Sequence, residues 1–96
     1  MLSKLDGRLL QSVARRETDE NGNPREIGLG QNGRINTANG HVLITCGEKE
    51  VFLSRCPGDV TCGETLSLKG AIFTGFNELT GQIETIVVQY DSLYRQ

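Results

Sequence analysis

The chain is predicted to be an all-β, small, barrel-like domain, and three observations predict it. Twelve glycines in 96 residues fall between short apolar words. Turn dipeptides recur at Asn21-Gly22, Asn32-Gly33, Asn39-Gly40, Cys46-Gly47 and Thr80-Gly81, and Asn-Gly supplies the two positive-φ positions of a tight hairpin turn. Many short strands with frequent turns suit a sandwich or barrel better than βαβ units. Third, Gly70 interrupts an apolar strand word, Glu64-Thr-Leu-Ser-Leu-Lys-Gly-Ala-Ile-Phe73. A glycine there weakens a ladder unless the backbone must bend or another backbone comes close, as at the corner of a small closed barrel.

Each element follows from local pattern. At the N-terminus Leu5, Leu9 and Val13 fit a helix as well as a strand, and Ser3 with Asp6 resembles a capping box. Gly7 disfavours the helix by about 1 kcal/mol relative to alanine. A strand over 4–13 is therefore expected, with a short N-terminal helix as its alternative. Short strands follow at Arg25–Leu29 and Arg34–Thr37. His41-Val-Leu-Ile-Thr-Cys46 and Val51-Phe-Leu-Ser-Arg-Cys56 form a hairpin across Gly47-Glu-Lys-Glu50. In the next strand Leu66, Leu68 and Ile72 share one face, and Ser67, Lys69, Ala71 and Phe73 the other. Asn77-Glu-Leu-Thr-Gly81 turns the chain into Gln82–Asp91, whose two faces are both partly apolar, the mark of a strand covered on both sides.

Size and composition set the bounds. The 96 residues form one domain, 1–96, that buries roughly two-thirds of its unfolded surface. Hydrophobic residues are 36% of the chain, and no apolar run approaches a membrane span. Met1-Leu-Ser-Lys-Leu-Asp-Gly7 lacks the apolar core of a secretory signal, so a cytoplasmic location is expected. The net charge is −2, which offers no overall attraction to polyanions. Residues 1–34 nevertheless carry six basic groups against five acids, and residues 35–96 four against seven. An anion-binding surface would be a local patch drawn largely from the first half; the same charges also suit a solvated exterior.

Three cysteines, Cys46, Cys56 and Cys62, suit reduced, buried thiols, with a loop disulfide between Cys56 and Cys62 as the alternative. With His41 they offer four potential metal ligands, but the spacing H-x4-C-x9-C-x5-C lacks the C-x2-C knuckle of structural zinc. No metal or cofactor is expected. His41, the single histidine, adjoins an Asn-Gly turn and reads as a turn residue. Neither a Gly-x-Ser-x-Gly elbow, a His-Glu-x-x-His helix nor a P-loop occurs. Gly28-Leu-Gly-Gln-Asn-Gly33 matches the G-x-G-x-x-G dinucleotide fingerprint, but that motif works only between a strand and a helix. Here Arg34-Ile-Asn-Thr-Ala-Asn-Gly40 breaks before a helix forms, so the match is a coincidence of a glycine-rich β-loop. Catalysis is not expected.

A binding surface remains. Single-stranded nucleic acid is held by cations along its backbone and by aromatic rings on which bases stack. Phe73 shares its face with Lys69, and Phe52 shares its face with Ser54, opposite Val51 and Leu53. Both rings are thus expected to point away from the core, with Arg55 adding a cation beside Phe52. The same phase also suits a second minicore or a dimer contact.

Gly7-Arg8-Leu9, followed by Arg16, Thr18, Asn21-Gly22 and Pro24, resembles the opening of bacterial single-stranded-DNA-binding proteins. Gly63-Glu-Thr-Leu-Ser-Leu-Lys-Gly-Ala-Ile72 is similar to a later strand of that family, and Val87-Val-Gln-Tyr-Asp-Ser-Leu93 to its end. Related primosomal replication proteins and small phage or plasmid single-strand binders share this layout. The resemblance implies an OB-like fold, a five-stranded Greek-key barrel, and a homodimer or higher oligomer that binds single-stranded nucleic acid and meets replication proteins. It places Arg8, Arg16, Lys69 and Phe73 towards nucleic acid; charge and phase add Arg15, Arg34, Phe52 and Arg55. The family's stacking tryptophans have no counterpart, since the chain contains none. The competing expectation is a structural or interaction protein whose barrel edge pairs with a protein partner.

Overall fold

The computed structural model describes residues 2–65, 67 and 69–91. Seven antiparallel strands form one sheet: β1 (Leu9–Thr18), β2 (Pro24–Asn36), β3 (Val42–Cys46), β4 (Lys49–Ser54), β5 (Thr61–Glu64), β6 (Gly70–Asn77) and β7 (Gln82–Tyr90). Their order is β4-β3-β2-β1-β7-β6-β5. The all-β expectation holds, but the five-stranded Greek key does not. Sheet neighbours are chain neighbours everywhere except at β1–β7, so two meanders, β1–β4 and β5–β7, meet where the last strand pairs with the first. Among the described residues no helix is long and apolar enough to cross a membrane.

The N-terminal strand begins later than expected, at Leu9, and the helical alternative shrinks to a single 3-10 turn, Leu2–Leu5. Gly7, at φ 77°, then swings the chain into β1, a conformation that a side chain disfavours. Leu5 is thereby tucked under the sheet at 4% exposure. Its turn is held by Gly7 N–H donating to the Ile35 carbonyl (2.7 Å) and by Asp6 Oδ1 accepting from Thr37 N–H (2.8 Å).

The two short strands expected at 25–29 and 34–37 are one strand of 13 residues. Asn32-Gly33 does not turn the chain. Asn32 (φ 55°) and Gly30 (φ 156°) instead distort β2 in place, and Val13↔Gly30 next to Ala14↔Gly28 leaves Leu29 as an extra, bulged residue. The whole Gly28–Gly33 fingerprint therefore lies inside a strand, with no helix behind it to meet a pyrophosphate. The other turn signals act as expected. Gly22, Gly40, Gly47 and Gly81 all have positive φ, and Asp19 Oδ1 accepts from both Asn21 and Asn23 N–H at 2.9 Å.

Glu64–Phe73 is not one strand. β5 ends at Glu64, the chain turns, and Thr65 N–H donates to the Gly70 carbonyl at 3.0 Å as β6 begins. The expected shared face of Leu66 and Leu68 lies outside the described residues. Gly70 is needed for close approach: a Cβ there would collide with the Val88 carbonyl oxygen.

The core is filled from both meanders, by Leu10, Val13, Ile35, Val42, Ile44, Phe52, Ala71, Phe73, Ile86 and Val88, each at most 1% exposed. β7 lies inside the sheet between β1 and β6, as its two-sided apolar pattern predicts. The sheet curls until β4 nears β6, giving a half-barrel whose seam is bridged without a ladder. Glu78 N–H donates to the Leu53 carbonyl (2.8 Å), and the buried Asn77 side chain reaches Val51 and Leu53.

The thiols are free. Burial pushes the Cys46 and Cys62 thiols up from their ordinary value, whereas Cys56 is exposed. Since the thiolate is the nucleophile, limiting iodoacetamide at pH 8 should alkylate Cys56 first, read by peptide mass spectrometry. Equal labelling of all three would contradict this burial.

Candidate functional site

The two rings expected to face a ligand face the core instead. Phe52 and Phe73 are both 0% exposed. For Phe73 the phase was anchored on Leu66 and Leu68, but the chain turns before Gly70 and β6 starts a new alternation. Ala71, Phe73, Gly75 and Asn77 point inward; Ile72, Thr74 and Phe76 point outward. Phe52 does share its face with Ser54, but that face is the inner one. A register shift at Ile44/Thr45 lets the consecutive Val51 and Phe52 both be buried. Neither ring is open to a base.

The expected cations divide into three groups. Arg15, on the inner side of β1, donates from Nε to Glu17 Oε2 (2.8 Å) and stands 3.8 Å from the buried Glu84 carboxylate. Arg16 points outward and pairs with Glu26 across the β1–β2 ladder (3.1 Å). Arg55 is tied to Glu78, whose carboxylate accepts from its backbone N–H at 2.6 Å and lies 3.8 Å from its guanidinium. These three are bound up with neighbouring acids. Arg34 is exposed on β2, with no ion pair among the described residues, and is not brought to the others. Arg8 and Lys69 form the third group: 61 positions apart in the chain, they line one groove.

That groove, about 610 Å³, lies where the start of β1 and the end of β7 meet Thr65, Ser67 and Lys69. Arg8, Gln11, Thr65, Lys69, Gln89 and Tyr90 line it, together with Asp91. The Arg8 guanidinium lies over the Tyr90 ring, 4.0 Å from its centroid, an attraction between cation and ring quadrupole. Val87 and Gln89 lie on the outer face of β7, whereas Tyr90 shares the phase of Ile86 and Val88 and packs partly against the core, so the groove sits at the end of the strand and opens past its outer face. Its framework is backbone. Leu10 is the register partner of Tyr90, the Tyr90 N–H donates to the Lys69 carbonyl (2.9 Å), and the Ile35 N–H donates to the Arg8 carbonyl (3.1 Å). Burial raises the Tyr90 phenol above its ordinary value, Glu64 reinforcing this and Arg8 opposing it. The ring is therefore neutral at physiological pH and its O–H is a donor.

Chemically, the groove offers two cations against one carboxylate, a planar ring already backed by a guanidinium, and amide and hydroxyl groups that both donate and accept. No group of three His, Cys, Asp or Glu side chains that would hold a metal ion occurs among the described residues. Sequence reasoning named Arg8 and Lys69 but missed Tyr90, Gln11 and Gln89. Nothing local marks them: Gln11 is the residue skipped where the β1–β7 register shifts between Leu10 and Ser12, and Tyr90 reaches Arg8 only through that long-range pairing. No family model, curated protein or solved structure matches the chain.

Proposed function

We propose that this domain binds single-stranded nucleic acid without catalysis, and that the groove of Arg8, Lys69 and Tyr90 is where it does so. One observation carries the reading: Arg8 and Lys69, 61 positions apart in the chain, line one groove with the half-buried Tyr90 ring, over which the Arg8 guanidinium lies. Cations to follow phosphates and a ring or guanidinium plane on which a base stacks are the two parts such binding needs. Gln11, Gln89 and the Thr65 hydroxyl supply hydrogen bonds to base edges. The similarity of Gly7-Arg8-Leu9 and of the 63–72 segment to single-stranded-DNA-binding proteins points the same way.

Labelled oligo-dT titrated with the protein, followed by fluorescence anisotropy across a salt series, tests this. Lys69→Ala removes an exposed side chain outside the core, so the fold is expected to survive. Binding should weaken several-fold, and the slope of log K against log salt should shrink by about 0.7, one phosphate contact. Unchanged binding and slope, or equal affinity for duplex, would overturn the assignment.

A further inference from the structure

We infer that a bound strand does not end in the groove but runs along the outward face of β6 and β7 to a second platform at Phe76 and Ile83. The inference rests on the preceding reading. Phe76 (50% exposed), Ile83 (75%) and Leu79 (44%) are the large hydrophobics that stand exposed among the described residues, and all belong to the β6–β7 hairpin. Phe76 and Ile83 are direct cross-strand partners on the outer face. Scattered exposed apolar residues need no explanation, but a cluster at one tip marks a contact surface.

The face between this tip and the groove indicates what the contact is. Ile72↔Val87 and Thr74↔Thr85 occupy it, the two threonine hydroxyls 3.1 Å apart. In a chain with 12 acids, no charged side chain projects outward from either strand, because Glu84 turns into the core. Cations stand at its margins: Lys69 at the groove, and Arg16 on β1 next to Thr85. The Arg16–Glu26 pair is solvent-exposed, so little is lost when Arg16 turns to a phosphate. An uncharged apolar and hydroxyl strip with a cation at its groove end and another beside Thr85 suits bases laid on the sheet with their phosphates along its β1 side. From Gly70 to Phe76 is six strand steps of ~3.3 Å, about 20 Å, so the track spans several nucleotides.

Length dependence in the full chain tests the track. A three-nucleotide oligo-dT should fill only the groove, and a ten-nucleotide one should reach the hairpin. Phe76→Ala should weaken the longer oligonucleotide on the order of ten-fold and leave the shorter one unchanged, whereas Lys69→Ala should weaken both. As a check independent of that truncation, Phe76→Trp installs a lone tryptophan in a chain that has none. Its fluorescence should be quenched by the longer oligonucleotide and not by the shorter. Loss of binding on Lys69→Ala with no effect of Phe76→Ala and no quenching would overturn the track and leave the groove standing. Binding of both lengths that ignores Lys69→Ala would remove the groove reading itself. If Phe76→Ala instead changes the sedimentation coefficient and leaves binding intact, the hairpin is a contact between copies and the track is wrong.

Discussion

Asn77→Ala is expected to cost about 3–4 kcal/mol of stability, as much as truncating a buried core phenylalanine. Asn77 is 0% exposed and makes four hydrogen bonds. Its Nδ2 donates to the Val51 carbonyl (3.0 Å) and to Glu84 Oε1 (2.9 Å), and its Oδ1 accepts from Leu53 N–H (3.2 Å) and Leu79 N–H (3.0 Å). Truncation leaves a backbone carbonyl, a backbone N–H and a carboxylate oxygen buried without these partners, at about 1–3 kcal/mol for each group that water does not reach. It also weakens the seam, because β4 and β6 share no ladder and are spanned by the Asn77 side chain, the Glu78 N–H and the Glu78 carboxylate on Arg55. For a domain of this size each kcal/mol shifts Tm by roughly 4–8 °C, so the midpoint should fall by on the order of 20 °C. Thr80→Ala removes only the hydroxyl that donates to Glu84 Oε2 (2.9 Å) at a part-exposed turn, and should cost about 1 kcal/mol. Similar melting curves for Asn77→Ala and Thr80→Ala would show that the seam does not depend on the amide.

Asn77 also shows where sequence reasoning reaches its limit. Its place as the first residue of the Asn77-Glu-Leu-Thr-Gly81 turn is legible in the sequence, because Gly81 at φ 75° meets a local demand that few residues meet. Its second role, joining β6 to β4 residues 24 and 26 positions earlier, leaves no local trace. The same division runs through the rest of the fold. Hairpins at Asn21-Gly22, Gly47 and Gly81 are legible because turn chemistry is local. The strand count and the β1–β7 closure are not, since they depend on pairings between the two ends of the chain. β2 was cut in two because Asn32-Gly33 is a turn signal; a long strand absorbs it as a distortion when both its neighbours hold it in register.

Candidate site residues divide in the same way. Arg8 and Lys69 are visible as charges in strand-like contexts, and the groove brings both to one place. Phe73 was assigned by counting alternation back to Leu68, and one intervening turn inverts such a count. The exposed ring, Phe76, lies three residues on, in the opposite phase. Arg15 illustrates a different limit. Its charge is plain in the sequence, but only the folded chain places Glu17 and the buried Glu84 around it. That arrangement makes it part of the inner polar network with Asn77 and Thr80 rather than part of an anion-binding face.

Gly70→Ala should be strongly destabilising for a change of one methyl group, and it joins the fold to the groove. An alanine Cβ would meet the Val88 carbonyl oxygen, a backbone atom of an interior strand that cannot swing aside as a side chain would. Relief requires β6 to lift from β7 at Gly70↔Gln89 and Ala71↔Val88, where the core residues Ala71 and Val88 lie opposite each other. Overpacking of this kind costs about 1–3 kcal/mol, and the upper end is expected where backbone meets backbone. Gly75→Ala is a graded comparison: its Cβ would lie 3.0 Å from a Val60 methyl, a side-chain atom rather than a strand backbone oxygen. At Gly63 a Cβ meets nothing within 4 Å, so Gly63→Ala should stay within about 0.5 kcal/mol of the parent. The order Gly70 > Gly75 > Gly63 in urea midpoint is the expected result, and a Gly70→Ala protein as stable as Gly63→Ala would refute the close approach. Because Gly70 lines the groove and follows Lys69, whose carbonyl accepts from Tyr90 N–H, lifting β6 also separates the cation from the ring. Oligo-dT binding should therefore fall in Gly70→Ala even at temperatures where the protein remains folded, while Gly75→Ala, whose glycine packs on Val60 rather than in the groove, keeps the groove and its affinity.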